Sequence, residues 1–152
     1  MTIADKLASM NITLPPAPKS VGAYVPTVIV GGLIYTSGQL PMRDGQLLAT
    51  GRVPTEVTVP LATQAARQAA LNALSAIAEA VGGLDNVARI IRVNVFVNSA
   101  DGFADQAKVA NGASELLIEI FGQAGLHTRC AVGAAELPLN APVEVDIVAQ
   151  LK

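Results

Sequence analysis

Apolar residues recur at helical spacing in two stretches of the chain and crowd into shorter β-branched runs elsewhere. In "LATQAARQAALNALSAIAEAV", Leu61 to Val81, the side chains of Leu71, Leu74, Ile77, Ala78 and Val81 fall on one helical face before Gly82-Gly83 stops the helix. A second helix is predicted over Gly102 to Phe121. Gly112 inside it costs on the order of 1 kcal/mol relative to alanine, which suggests that a neighbour approaches closely there. "TVIVGGLIYTSGQL" reads as two strands around a tight Gly31-Gly32 turn, and "VARIIRVNVFVNS" as a strand in the middle of a sheet. "RCAVGAAEL" and "VEVDIVAQL" read as two further strands joined as a hairpin through "PLNAP". Between the first hairpin and the first long helix, residues 42–60 carry turn signals at Asp44-Gly45 and Gly51, so a loop or an irregular edge strand is expected. At the N-terminus, "TIADKLASM" reads as a short amphipathic helix capped by Thr2, which "LPPAPK" then breaks. Residues 1–20 are thus expected to form a helical appendage with a Pro-rich link, and residues 21–152 a single domain.

The resulting order, β-β-(β)-α-β-α-β-β, predicts an α+β fold: a mixed β-sheet with two helices packed on one face. The opposite face is too apolar to be left in water. Self-association that covers it, with sites formed between subunits, is the expected solution.

Composition narrows the classes of function. Of the 152 residues, 51% are apolar and the formal net charge is −2, with lysine and arginine scattered singly. The basic footprint of a nucleic-acid binder is missing, so nucleic acid is not an expected partner. No run approaches the roughly 18 to 20 apolar residues of a membrane span, so no membrane role is expected. The N-terminus lacks the pattern of a secretory signal, and the lone Cys130 cannot form an internal disulfide, which makes a reducing cytoplasm the default location.

The stretch "HTRCAVGAAELPLNAPVEVDIVAQ" concentrates the candidate chemistry. His127 and Cys130 suggest a nucleophile with its base, but residues three apart in an extended chain point to opposite faces. The blander reading makes Cys130 a small buried apolar residue and His127 a loop residue. One histidine and no clustered acids also fall short of a metal-ligand set, so no metal is expected. Arg129 heads a strand of small apolar residues and has little local purpose unless it meets an acid or a ligand carboxylate; its alternative is a surface arginine or an internal ion pair. Glu144 and Asp146 alternate with Val143, Val145 and Ile147, so both acids share one face, for which a solvated surface is the plain alternative. "YTSGQLP" sets Tyr35, Ser37 and Gln39 at a strand end, where a pocket mouth often lies.

Together, "SVGAYVPTVIVGGLIYTSGQLP", "VGGLDNVARIIRVNVFVNSADGFADQAKVAN", "TRCAVGAAELP" and "VEVDIVA" resemble the RidA/YjgF family, also known as endoribonuclease L-PSP or chorismate-mutase-like proteins. The resemblance spans roughly Val21 to Ala149. It implies a chorismate-mutase-like fold assembled as a homotrimer around a central barrel, with clefts at the subunit interfaces. It further implies an enamine/imine deaminase acting on small 2-imino acids without a cofactor. Arg129 would hold the carboxylate, Glu144 would position or activate water, and Tyr24 would bond or cover the substrate. Ser37 and Asn111 match further site positions, and backbone groups near Cys130 and Ala131 would orient the imino nitrogen. The N-terminal segment, the expanded 42–60 region, "LHTR" before the strand, and Ala131 in place of a cysteine resemble a longer subgroup. The alternatives are a non-catalytic trimer that binds small carboxylates, and the endoribonuclease or translation inhibitor of the older family name. A net-acidic chain poor in aromatics and with one histidine suits RNA cleavage badly.

Overall fold

A computed structural model describes residues 1–152. Helix α1 (Ile3–Ser9) is followed by β1 (Thr27–Val30) and β2 (Leu33–Thr36), which the Gly31-Gly32 turn joins. Both glycines have positive φ, 55° and 78°, a conformation that side chains disfavour and that this turn requires. A small second sheet, β3 (Met42–Arg43) with β4 (Gln46–Leu47), occupies the region expected to be a loop or irregular edge. Then come α2 (Val59–Val81), β5 (Val87–Asn98), α3 (Gln106–Phe121), β6 (Thr128–Ala134) and β7 (Val143–Leu151). No helix is long and apolar enough to cross a membrane.

The main sheet has the order β1-β2-β7-β5-β6 and is mixed: β6 runs parallel to β5, and the other pairings are antiparallel. This is the mixed α+β sheet expected from the chain order. The expectation of a closing hairpin is wrong, because β6 and β7 do not pair; β5 lies between them. The parallel pairing follows from the crossover through α3, and the segment from Ala135 to Pro142 carries the chain past the end of β5 to its other side. "PLNAP" is the turn of that passage, with Leu139 and Asn140 both at φ 57°.

Helices α2 and α3 cover one face of the sheet. Val93, Val95, Val97, Val143, Val145, Ile147 and Ile34 point into that layer and are fully buried, together with a run of alanines from α2. Small residues let the two helices come close, and Gly112 sits at the crossing: a Cβ there would run into the Thr63 carbonyl oxygen of α2. The internal glycine of α3 is therefore a packing requirement, as its presence inside a helical pattern suggested.

Two buried asparagines tie loops to this scaffold. Asn72 Nδ2 of α2 donates to the Leu40 and Met42 carbonyls at 2.9 Å each, holding the segment that leaves β2. Asn98 Nδ2, at the end of β5, donates to Gly51 O at 3.2 Å and Ala141 O at 3.1 Å, holding the approach to β7. The N-terminal helix carries a reciprocal cap at its start, with Thr2 Oγ1 accepting from Asp5 N and Asp5 Oδ2 from Thr2 N. It packs on the rest of the chain with Leu7 in the core, and Ile3 N donates to Asp85 Oδ1 at 2.7 Å. Lys152 N donates to the neighbouring Asn86 O at 3.0 Å.

An ordinary exposed helix gains stability when alanine replaces an internal glycine. Here the added methyl meets backbone, so Gly112→Ala is expected to destabilise the fold by about 1–3 kcal/mol. Urea unfolding monitored by circular dichroism measures both the sign and the size.

Candidate functional site

Arg129 is the second residue of β6 and pairs in register with the buried Val93, which places its side chain on the helix-covered side of the sheet. Because β6 is an edge strand, the guanidinium lies at the rim of that layer. It reaches one face of α3: Nη1 donates to Asn111 Oδ1 at 2.8 Å and Ser114 Oγ at 3.1 Å, and Nη2 makes a long contact of 3.5 Å with Ala107 O. Residues 107, 111 and 114 stack at helical spacing, so one α3 surface supplies all three acceptors. Each acceptor is neutral. The one ion pair in the chain is Arg67–Glu119, between α2 and α3, which leaves the Arg129 charge without a carboxylate partner. Ala131 and Gly133 follow on the same side of β6; Ala131 packs against the core, and a Cβ at Gly133 would meet Ser99 Oγ at 3.0 Å and Gln106 Nε2 at 3.1 Å.

The acids occupy the other face. Glu144 pairs with Phe96 and Asp146 with Asn94, both opposite to the valines that fill the core. Glu144 is half-buried. Burial, and secondarily the neighbouring Asp146, raise its pKa above the ordinary carboxylate value. Gly38 makes room for it, since a Cβ at Gly38 would lie 2.9 Å from Glu144 Cδ. Gly38 also lines a cavity of about 190 Å³ with Tyr24, Pro26, Gln39, Leu40 and Leu139. Ser37 latches this corner: Oγ donates to Val25 O at 2.7 Å and its backbone N to Pro26 O at 2.8 Å, fixing the segment that carries the exposed Tyr24. A larger cavity of about 470 Å³, between the Pro-rich segment, the β3–β4 hairpin and α2, shares Gln39 with the smaller one but is not lined by Arg129, Glu144, Ser37 or Tyr24.

The candidate residues therefore fall into two groups within one chain. Arg129, Asn111 and Ala131 lie at the helix side of the β6 edge; Glu144, Ser37 and Tyr24 gather where β2 ends and β7 begins, with Glu144 on the bare face. Cys130 belongs to neither group. It is exposed on the bare face, which corrects the reading of a buried apolar residue: alternation along β6 turns it away from the helices as Arg129 turns toward them. There it joins a polar chain that the sequence left unconnected. Arg92 Nη2 lies 3.2 Å from Cys130 Sγ, Arg92 Nε donates to Asn94 Oδ1 at 3.2 Å, and Asn94 Nδ2 donates to Asp146 Oδ1 at 2.9 Å. Asp146 is thus half-buried and bonded rather than a solvated surface acid. Burial raises its pKa, against opposing contributions from the Asn94 bond and the Arg92 charge. No three His, Cys, Asp or Glu side chains converge as a metal-ligand set.

His127 is more than a loop residue. Its ring packs back onto α3, with Nε2 at 2.9 Å from Ser114 Oγ and Nδ1 at 2.6 Å from Gly125 O. Its position just before the strand and its separation of 13 residues from Ser114 give no sign of this.

A mixed sheet carrying two helices on one face, an arginine without an acid at the sheet edge, and half-buried acids on the other face defines a small α+β protein with two separate polar sites. The family model described as "YjgF/chorismate mutase-like, putative endoribonuclease" matches residues 4–151, and the chain belongs to this family. Protein TCP17 of Trypanosoma cruzi is 43% identical over 98% of this chain and 94% of its own length. The 2-iminobutanoate/2-iminopropanoate deaminase of Escherichia coli is 33% identical over 93% of this chain and 97% of its own. Among solved structures, an Agrobacterium tumefaciens protein of unknown function superposes with a TM-score of 0.91 at 42% identity, covering 99% of this chain and 92% of that one. TdcF of Escherichia coli, solved with bound serine, superposes with a TM-score of 0.62 at 28% identity, covering 90% and 94%.

The raised pKa values set a sign for stability. Glu144 binds its proton more tightly folded than unfolded, so its contribution to folding is present below the ordinary carboxylate range and is lost as pH rises through the raised folded-state value. Glu144→Gln removes that loss. The variant is expected to have a higher Tm than the wild type at neutral pH and no gain near about pH 3, below the unfolded carboxylate range. Thermal unfolding followed across that range checks it.

Proposed function

We propose that this chain is an enamine/imine deaminase that hydrolyses small 2-imino acids to 2-oxo acids and ammonia, as a homotrimer with its sites in clefts between subunits. One observation carries the reading: Arg129 is held at the sheet edge by neutral acceptors alone, so its charge stays available to a carboxylate in a two-pronged geometry. The name of the Escherichia coli deaminase and the serine bound to TdcF support a small amino-acid-like ligand.

The chemistry asks little of the protein, because an imine carbon is already electrophilic. Arg129 fixes the carboxylate, which places that carbon in a constant position. A water adds to the carbon and one of its protons passes by way of Glu144 to the nitrogen, giving a carbinolamine; the proton of the new hydroxyl then follows by the same route as the C–N bond breaks, so that ammonia leaves and the 2-oxo acid forms. A carboxyl group whose pKa is raised is better matched to taking and returning a proton near neutrality than an ordinary surface acid. Tyr24 bonds or covers the substrate, and backbone groups at Cys130 and Ala131, on the free edge of β6, orient the nitrogen. In this scheme Ser37 acts through the Tyr24 segment and Asn111 through Arg129.

The trimer supplies what one chain lacks. Arg129 and Glu144 face opposite sides of the sheet, so a second copy has to bring its Glu144 group to the Arg129 edge of the first. The bare face suits burial against other copies: Val28, Tyr35 and Val132 on it are 50%, 45% and 45% exposed. The same arrangement also favours a second reading, a trimer that binds small carboxylates without turning them over, since Arg129 alone accounts for binding.

Coupling the purified protein to a threonine dehydratase separates the two. Accelerated formation of 2-oxobutyrate and ammonia is expected, with about a hundredfold loss in Arg129→Ala, the cost of removing a bonded charge. Glu144→Gln is expected to lose about 10²- to 10⁴-fold in rate while retaining binding. Binding without acceleration supports the second reading, and a monomer in analytical ultracentrifugation sinks the interface site.

A further inference from the structure

The hydrogen bonds around Arg129 have a direction that can be read from their partners. Gly125 O can only accept, so the His127 Nδ1 facing it at 2.6 Å carries the hydrogen. In the neutral ring, Nε2 then has only a lone pair to offer, and the Ser114 hydroxyl at 2.9 Å must donate to it. With its hydrogen so engaged, Ser114 Oγ turns its lone pairs toward Arg129 Nη1 at 3.1 Å. Asn111 Oδ1 takes the other Nη1 hydrogen at 2.8 Å. Both Nη1 donors are therefore committed to α3, while Nη2 has only the 3.5 Å contact with Ala107 O. The edge of the guanidinium formed by Nε and Nη2 is the one left to present two parallel N–H groups to a ligand.

The anchor of this series is rigid. Gly125 is buried against the C-terminal part of α3, and a Cβ on it would run into the Leu117 carbonyl oxygen, so its backbone cannot shift toward the helix. Ser114 is itself buried on α3. Both ends of the series are thus fixed to one helix, with the imidazole spanning them.

We propose that His127 and Ser114 form a positioning relay for Arg129. The imidazole, fixed as its Nδ1–H tautomer by Gly125 O, orients the Ser114 hydroxyl as an acceptor for Nη1, and so aims the Nε–Nη2 edge at the carboxylate of a 2-imino or 2-oxo acid. The relay rests on the reading of Arg129 as the carboxylate clamp. Neither residue touches the ligand; both act through the arginine.

Because the chain has one histidine, a ring nitrogen-15 NMR spectrum of the full-length protein reports this imidazole alone. The expected pattern is a protonated Nδ1 and a bare Nε2 whose resonance moves in Ser114→Ala; a ring protonated at Nε2 only overturns the relay. Binding is read by calorimetric titration with 2-oxobutyrate. His127→Phe, which keeps a ring but removes the acceptor, and Ser114→Ala are each expected to weaken binding about tenfold, the scale of one lost bond to a charged group. The double variant is expected to be no weaker than either. His127→Gln, whose Oε1 can replace Nε2 as the acceptor, is expected to restore affinity to near the wild-type value. A role in packing alone reverses the last comparison, since phenylalanine fills the ring space better than glutamine, and that result overturns the proposal. Wild-type affinity in His127→Phe combined with lost affinity in Arg129→Ala rejects the relay and spares the clamp. Wild-type affinity in Arg129→Ala rejects the clamp and the relay with it.

Discussion

Strand β5 is hydrogen-bonded along both edges, antiparallel to β7 and parallel to β6, and that double pairing decides where each side chain of the site can point. Register with Val93 sends Arg129 to the helix side; register with Phe96 sends Glu144 to the bare side. Had β6 folded back on β7, the arginine and the acid could have met within one chain. The parallel pairing depends on α3 as its crossover, and α3 can lie close to α2 only because Gly112 leaves room for Thr63. A packing contact deep in the helical layer thus underlies the separation of two polar residues on the surface.

The two sides of the sheet treat charge differently. On the bare face, Arg92 is linked through Asn94 to Asp146, so acid and base partly offset one another in a half-buried setting. On the helix side, Arg129 meets only amide, hydroxyl and carbonyl oxygens. Neutral acceptors fix the direction of a guanidinium without cancelling its charge, whereas a carboxylate would do both. The distinction separates an arginine that offsets an acid of its own chain from one whose charge is left uncancelled.

Local pattern made much of this legible. Helical spacing from Leu61 to Val81 marked α2 to within two residues of its start, the β-branched run around Val93 marked a central strand, and alternation around Val145 put Glu144 and Asp146 on one face. Partnership between distant segments was less legible. "PLNAP" carries the same turn residues whether it closes a hairpin or passes across the end of β5, so the order of the last strands was misread. Alternation also separates His127 from Cys130 without telling which side of the sheet the helices cover, and the reading of Cys130 as a buried residue fails on that point. His127 was undervalued for the same reason: its partner Ser114 is 13 positions away on a helix, and no periodicity within either segment encodes that meeting.

The ends of the chain are tied to a single turn, Ile3 through Asp85 and Lys152 through Asn86. In topological terms the backbone is nearly a closed ring, and its present break is only one of several places where it could be opened. A short polar linker could join the two ends, and new termini could be cut at the exposed Asp44-Gly45 turn of the small hairpin without interrupting the main sheet. Such a permuted chain would keep every pairing of β5, so the order in which the segments are strung together matters less to this architecture than the neighbours each one finds.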